Sequence, residues 1–113
     1  MKLSALSVVM VGVLLSGCNN MAPKCGDPET VDLVTQIADD EMAKTVGREA
    51  ANLFTYELTG IRTTGVNEKI GSYECAADLQ MKTEARGSAS GSITYTVENT
   101  DDGDEFYVTV FGL

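Results

Sequence analysis

This 113-residue sequence has no histidine, no tryptophan, only two prolines, and eight Lys and Arg against seventeen Asp and Glu. Each shortage removes something. Without histidine, Ser-His-Asp and Cys-His catalysis are unavailable, and so are the usual zinc sites with imidazole ligands. The scarcity of positive charge leaves a formal net charge of −9 and no basic cluster. Such a surface repels phosphate backbones and anionic headgroups, so no nucleic-acid partner is expected. The longest apolar run, Leu3–Leu15, falls short of the roughly 20 residues with which a helix crosses a bilayer.

What is present begins at the N-terminus. Lys2 supplies a positive charge, LSALSVVMVGVLL follows from Leu3 to Leu15, and Leu15-Ser16-Gly17-Cys18 closes the segment where a stop-transfer flank would be charged. A charged start, a short apolar stretch and small residues before a cut form the pattern of a secretion signal. Leu-Ser-Gly-Cys resembles the lipobox of bacterial lipoproteins. That resemblance covers residues 1–18. It implies that residues 1–17 are a signal peptide, that Cys18 receives a diacylglycerol on its thiol, and that the new amine takes a further acyl chain, such as palmitate, in many species. One acyl chain binds a bilayer marginally and two bind it stably, so the mature protein is expected to stay on a membrane. In sorting of the enterobacterial type, Asp directly after the lipidated Cys retains a lipoprotein in the inner membrane. Asn19 and Asn20 stand there instead, which favours the outer membrane of a Gram-negative envelope, on its periplasmic side.

Removing the signal takes Lys2 with it, so seven basic residues face seventeen acidic ones and the mature net charge is −10. A protein partner steered by charge would be basic, although solubility alone is an equal use for such a surface. Of the three cysteines, Cys18 is assigned to lipid, which leaves Cys25 and Cys75. In an oxidising compartment that pair is expected to be bridged. Closing a loop of that length contributes about 4 kcal/mol in the chain-entropy model. A redox or metal role for the pair lacks both a CxxC spacing and any histidine.

Residues 18–24 are expected to be the lipidated N-terminus and a tether, and residues 25–113 a single small domain. Asp27-Pro28 is a helix start, with Asp able to cap free N–H groups and Pro preset for the first helical position. Val31, Val34, Ile37 or Ala38, and Met42 recur at helical spacing, which predicts an amphipathic helix from about 28 to 46 with Gly47 as its C′ residue. Residues 48–55 fit either a further helical turn or the approach to a strand. Tyr56–Thr64 is strand-like with Gly60 as a candidate bulge, and Gly65-Val66-Asn67-Glu68 is turn-like. Tyr73, Cys75, Ala77, Leu79 and Met81 alternate with polar or small residues, the pattern of a half-buried strand with its cysteine inward. Residues 85–92, small and rich in Gly and Ser, predict a flexible connection. Ile93, Tyr95 and Val97 alternate again, Asp102-Gly103 signals a hairpin, and Phe106–Phe111 is the last strand. The sum is an α+β class: an N-terminal amphipathic helix packed on a small three- to four-stranded antiparallel sheet.

Candidate chemistry is thin, and no enzyme activity, cofactor or metal is expected. Ser88, Ser90 and Ser92 have no identifiable base. Asp39-Asp40-Glu41 reads as a solvated helix face. The acids from Asp101 to Glu105 fail as an EF-hand, because placing Gly103 at the sixth loop position puts Thr109 where the bidentate acid belongs. Binding is then the default class. The last strand carries Phe106, Val108 and Val110 on one face and Tyr107, Thr109 and Phe111 on the other. One helix covers one sheet face, so Tyr107 and Phe111 are candidates for recognition, unless residues 48–55 or the chain ends bury both sets.

Tyr73-Glu74-Cys75 and Ser88-Ala89-Ser90-Gly91-Ser92-Ile93-Thr94-Tyr95 resemble stretches of the membrane-bound inhibitors of C-type lysozyme, small lipoproteins with an early Tyr-x-Cys and a later Ser-Ala-Ser-Gly-x-x-Tyr. Here the second stretch is one residue longer before its Tyr, a helix precedes the sheet of a mainly β family, and the family's cysteine near the end is missing. The resemblance implies that Ser90 and its neighbours face a lysozyme's catalytic cleft. Two uses follow: a non-catalytic binding protein such as an inhibitor or immunity protein, or a structural accessory of an envelope complex.

Overall fold

A computed structural model describes residues 7–12, 21–85 and 87–113 of the chain. Cys18 and the expected cleavage site lie outside the described residues. Strand β1 (Ser7–Gly12) comes from the apolar N-terminal run, followed by helices α1 (Pro28–Val46) and α2 (Arg48–Ala51). Strands β2 (Thr55–Asn67), β3 (Ser72–Thr83), β4 (Gly87–Asn99) and β5 (Glu105–Phe111) complete the chain. The last four form an antiparallel meander, and β1 adds to its β5 edge, giving the order β1-β5-β4-β3-β2. The class is α+β, an antiparallel sheet with a helix on one face.

Helix α1 starts where Asp27 and Pro28 stand, but Asp27 does not cap it with its side chain. The Asp27 carboxylate instead accepts the Lys24 N–H at 2.9 Å, closing the preceding turn. Its backbone carbonyl accepts the Val31 N–H at 3.0 Å, the first bond of the helix. At the other end Gly47 takes φ +92, a conformation cheap only without a β-carbon, and donates its N–H to Ala43 C=O at 2.8 Å. The buried stripe is Thr30, Leu33, Val34, Ile37 and Ala38. Of the expected stripe Val31, Val34, Ile37 or Ala38, and Met42, the residues Val34, Ile37 and Ala38 are buried and Val31 lies on the flank of the core, while Thr30 and Leu33 join the buried side.

Residues 48–55 take the helical alternative, a short helix that leads into the start of β2. Other segments differ from expectation. The turn expected at 65–68 comes later, because Gly65 pairs with Glu74 and Asn67 with Ser72. Gly65 serves close approach, since a β-carbon there would come within 2.8 Å of Glu74 Oε1. The turn is closed by Asn67 Oδ1, which accepts the N–H groups of Lys69 and Ile70 at 3.0 and 3.4 Å. Gly60 does mark an irregularity, with φ +62 and a register shift between Thr59 and Arg62. Residues 87–92 are not a flexible connection: they pair continuously with β3, from Gly87 opposite Thr83 to Ser92 opposite Asp78. Strand pairing is made by backbone groups, which small side chains leave free to bond. Ala22 and Pro23, assigned to the tether, are buried, and the Ala22 N–H donates to Gly71 C=O at 2.9 Å.

The core lies between α1 and the inner sheet face. Leu33, Val34 and Ile37 meet Cys75, Ala77, Leu79, Ile93, Tyr95, Val97, Phe106, Val108 and Val110. Cys25 and Cys75 are disulfide-bonded, with Cα atoms 5.8 Å apart, and tie the chain just before α1 to the interior strand β3. Beside the bridge, the Tyr95 hydroxyl donates to the Cys25 carbonyl at 2.8 Å. Burial pushes the Tyr95 phenol up from 10.0 to about 12.

That shift sets an alkaline limit. The unfolded chain releases this proton near 10 and the folded chain near 12. Stability is therefore full below pH 10 and falls as pH rises through 12, by on the order of 2–3 kcal/mol. Tyr95→Phe should flatten that fall in urea titrations at successive pH values. At neutral pH the same variant should lose about 1–3 kcal/mol, because the buried Cys25 carbonyl is left unpartnered.

Candidate functional site

Alternation along β5 divides its side chains cleanly. Phe106, Val108 and Val110 are fully buried toward α1, whereas Tyr107 and Thr109 are half-buried and Phe111 is 44% exposed on the opposite face. Register extends that outer face across the sheet. Tyr107 lies opposite Glu98, Thr109 opposite Thr96 and Phe111 opposite Thr94. Thr94 in turn pairs with Ala76, and Ser92 with Asp78. Ser90 pairs with Gln80 and shares the face, four residues along β4 from the Thr94–Phe111 pair, or about 13 Å. The structure thus brings Tyr107, Phe111 and Ser90 onto one surface, with Ser90 in a strand rather than in a loop.

The chemistry of this face is hydroxyl-rich and acidic. Thr59, Thr94, Thr96 and Thr109 line it, Gln80 Nε2 donates to Thr59 Oγ1 at 3.3 Å, and Ser92 Oγ donates to Asp78 Oδ1 at 3.5 Å. Glu74, Asp78 and Glu98 add negative charge. Near the β2 edge, Arg62 donates to Gly60 C=O at 2.7 Å, and Lys82 pairs with Glu57 at 3.7 Å. The result is a polar, acidic sheet surface that carries two aromatic side chains on β5.

The other acidic runs have local partners. Arg48 reaches Asp39 at 2.6 Å and Asp40 at 3.2 Å, and Lys44 pairs with Glu41 at 3.3 Å. The hydrogen bond with Asp39 is the main cause that raises the Arg48 pKa. These contacts fasten α2 against α1. In the β4–β5 turn, Asp102 accepts the Thr100 hydroxyl at 2.7 Å and the Asp104 N–H at 3.2 Å, which hold its carboxyl below its ordinary pKa. Among the described residues no group of three or more His, Cys, Asp or Glu side chains is placed to hold a metal ion.

Two features were not anticipated. A groove of about 250 Å³ opens between α1 and the sheet, bounded by Met42, Leu79, Met81, Gly91, Ile93 and Leu113. Its sequence signal is Gly91, an inward strand position without a side chain. A shallow apolar cleft lies at the α2–β2 junction beside Val46, Leu53, Phe54 and Ala85, with Leu53 70% exposed.

Changing the outer rings should separate binding from folding. Tyr107→Ala and Phe111→Ala should each lose less than about 1 kcal/mol of stability. Phe106→Ala, one position away on the inner face, should lose about 3–5 kcal/mol. Thermal melts of the three variants check this, and unfolding of both outer variants would make the rings core.

No family model matches the chain, and no match to it was found among curated proteins or solved structures. Its function is therefore read from its own residues.

Proposed function

We propose that the chain is the precursor of a small bacterial lipoprotein, anchored by acylated Cys18 on the periplasmic side of the outer membrane. Its mature domain, residues 25–113 with α1 as the N-terminal helix, acts as a non-catalytic binding protein. The observation that carries the reading is Leu15-Ser16-Gly17-Cys18 in register at the end of a short apolar run behind Lys2. The Cys25–Cys75 bridge supports it, because disulfides persist in exported proteins and are rare in the cytosol. The absence of histidine and the partnered state of the carboxylates near Arg48 and Thr100 support binding over catalysis.

The partner is a protein, held on the outer sheet face around Tyr107 and Phe111 with Ser90 at its far end. A mature net charge of −10 favours a basic one, as an inhibitor or immunity protein that neutralises an incoming enzyme would require. The apolar cleft at Val46 and Leu53 favours a second reading, a structural accessory of an envelope complex, since exposed apolar patches mark lasting contacts.

Cys18→Ser tests the anchor. The variant should lose both metabolic lipid labelling and detergent-dependent fractionation, and labelling that survives contradicts the reading. Affinity capture on the mature protein separates the two uses. A one-to-one complex with a soluble basic enzyme, weakened by about 1 kcal/mol or more in Tyr107→Ala, supports neutralisation. Co-purification with membrane components after crosslinking supports the accessory role.

A further inference from the structure

The segment that the proposed maturation removes is the one that covers the edge of the sheet. Strand β1 runs antiparallel to β5 with Ser7 opposite Val110, Val9 opposite Val108 and Val11 opposite Phe106. Which backbone groups it satisfies follows from the β4–β5 turn. Glu105 C=O accepts the Thr100 N–H at 3.0 Å, and the Glu105 N–H donates to Thr100 Oγ1, so Glu105 directs its backbone toward β4. Direction alternates along a strand, so Phe106, Val108 and Val110 direct their N–H and C=O groups to the opposite edge, where β1 lies. Cleavage before Cys18 takes β1 away and leaves those groups unpaired, above three side chains that belong to the core.

Natural edge strands are blunted by Lys, Pro or bulges. Strand β5, EFYVTVF, has neither residue, and its pairing with both neighbours runs without a register shift. We infer that in the mature protein this edge pairs with the same edge of a second copy, making a two-fold dimer with one continuous eight-stranded sheet. The inference rests on the removal of residues 1–17.

The sequence of β5 is complementary to itself in one register. Centred on Val108, antiparallel pairing sets Val108 against Val108 of the second copy, and Phe106 against its Val110. The residues whose backbones face the edge then exchange reciprocal hydrogen bonds, as they do with Val9, Val11 and Ser7 in the described structure. A shift by one residue would turn inner side chains to the outer face, so the inner rows select this family of registers. Glu105, the one charged residue of β5, falls opposite Phe111 of the second copy, and no two carboxylates meet across the seam. The overall negative charge of the two copies opposes association, and anchoring both on one membrane offsets this by raising their local concentration. A two-fold normal to the sheet keeps both α1 helices on one side. The outer faces then join, with Tyr107 beside Thr109 of the other copy, so the proposed recognition surface is doubled.

Register-specific crosslinking in the envelope tests this on the full lipidated protein. Two differently tagged copies are produced together, one carrying Tyr107→Cys and the other Thr109→Cys. Directly opposed positions have β-carbons about 5 Å apart, within reach of a disulfide, whereas the diagonal partners of identical positions stand about 7–8 Å apart. The mixed pair should therefore give a disulfide-linked heterodimer several-fold more abundant than the homodimer of either variant alone. The mass of the recovered chains shows whether residues 1–17 are gone. Retained N-terminal residues would refute the lipoprotein reading itself. Cleaved chains that give no heterodimer, give equal homodimers, or crosslink only to a different protein would overturn the dimer. Wild-type melting temperatures for both variants, measured under conditions that keep the added thiol reduced and the Cys25–Cys75 bridge intact, ensure that a negative result reports on pairing and not on folding.

Discussion

One helix has to be held on one face of a small sheet, and the Cys25–Cys75 bridge is the constraint that does it. The bridge joins Cys25, just before α1, to the first part of β3, and Tyr95 reinforces the same point by donating to the Cys25 carbonyl. From that fixed start α1 lays Leu33, Val34 and Ile37 across the inner face, and the alternation of β3, β4 and β5 supplies the opposing side. A domain of this size buries little surface, so a crosslink spanning 50 residues is a large fraction of its stability.

The same constraint divides the sheet chemically. The inner face is apolar because α1 excludes water from it. The outer face keeps threonines, serines and acids because nothing among the described residues covers it. Tyr107 and Phe111 are outside for the reason that Phe106, Val108 and Val110 are inside: a strand alternates, and one helix can hide only one set. Strand β1, Ser7–Gly12, enters this arrangement at the edge and not at a face. Under the proposed processing its loss would couple export to exposure of a pairing edge.

Much of the fold was legible because local chemistry and tertiary need agree. Asp27-Pro28 and Gly47 mark the ends of α1, the two lone cysteines mark the bridge, and the Tyr73–Met81 alternation marks the inner side of β3. Failures fall where backbone pairing outweighs side-chain preference. Gly87–Ser92 has the composition of a linker, yet β3 offers it a complete ladder of hydrogen bonds. Gly65 has the look of a turn residue, yet it is needed where Glu74 approaches. The apolar face of α1 was legible through Val34, Ile37 and Ala38, whereas Thr30 and Leu33 join it only because of how the helix sits on the sheet. At the candidate site, the separation of Tyr107 and Phe111 from the core followed from alternation. The groove at Gly91 and the cleft at Leu53 depend on how α1 and α2 sit over the sheet, which no local pattern encodes.

The proposed anchor requires that the chain be exported and processed at Cys18, and the Cys25–Cys75 bridge fits the oxidising compartment to which export would deliver it. The intact mass of the protein extracted from envelopes addresses this most directly. The account predicts a chain of residues 18–113 carrying the mass of its acyl groups and lacking two hydrogens for the Cys25–Cys75 bridge. A chain that retains Met1, or one that begins at Cys18 without lipid and with both remaining thiols free, would contradict it.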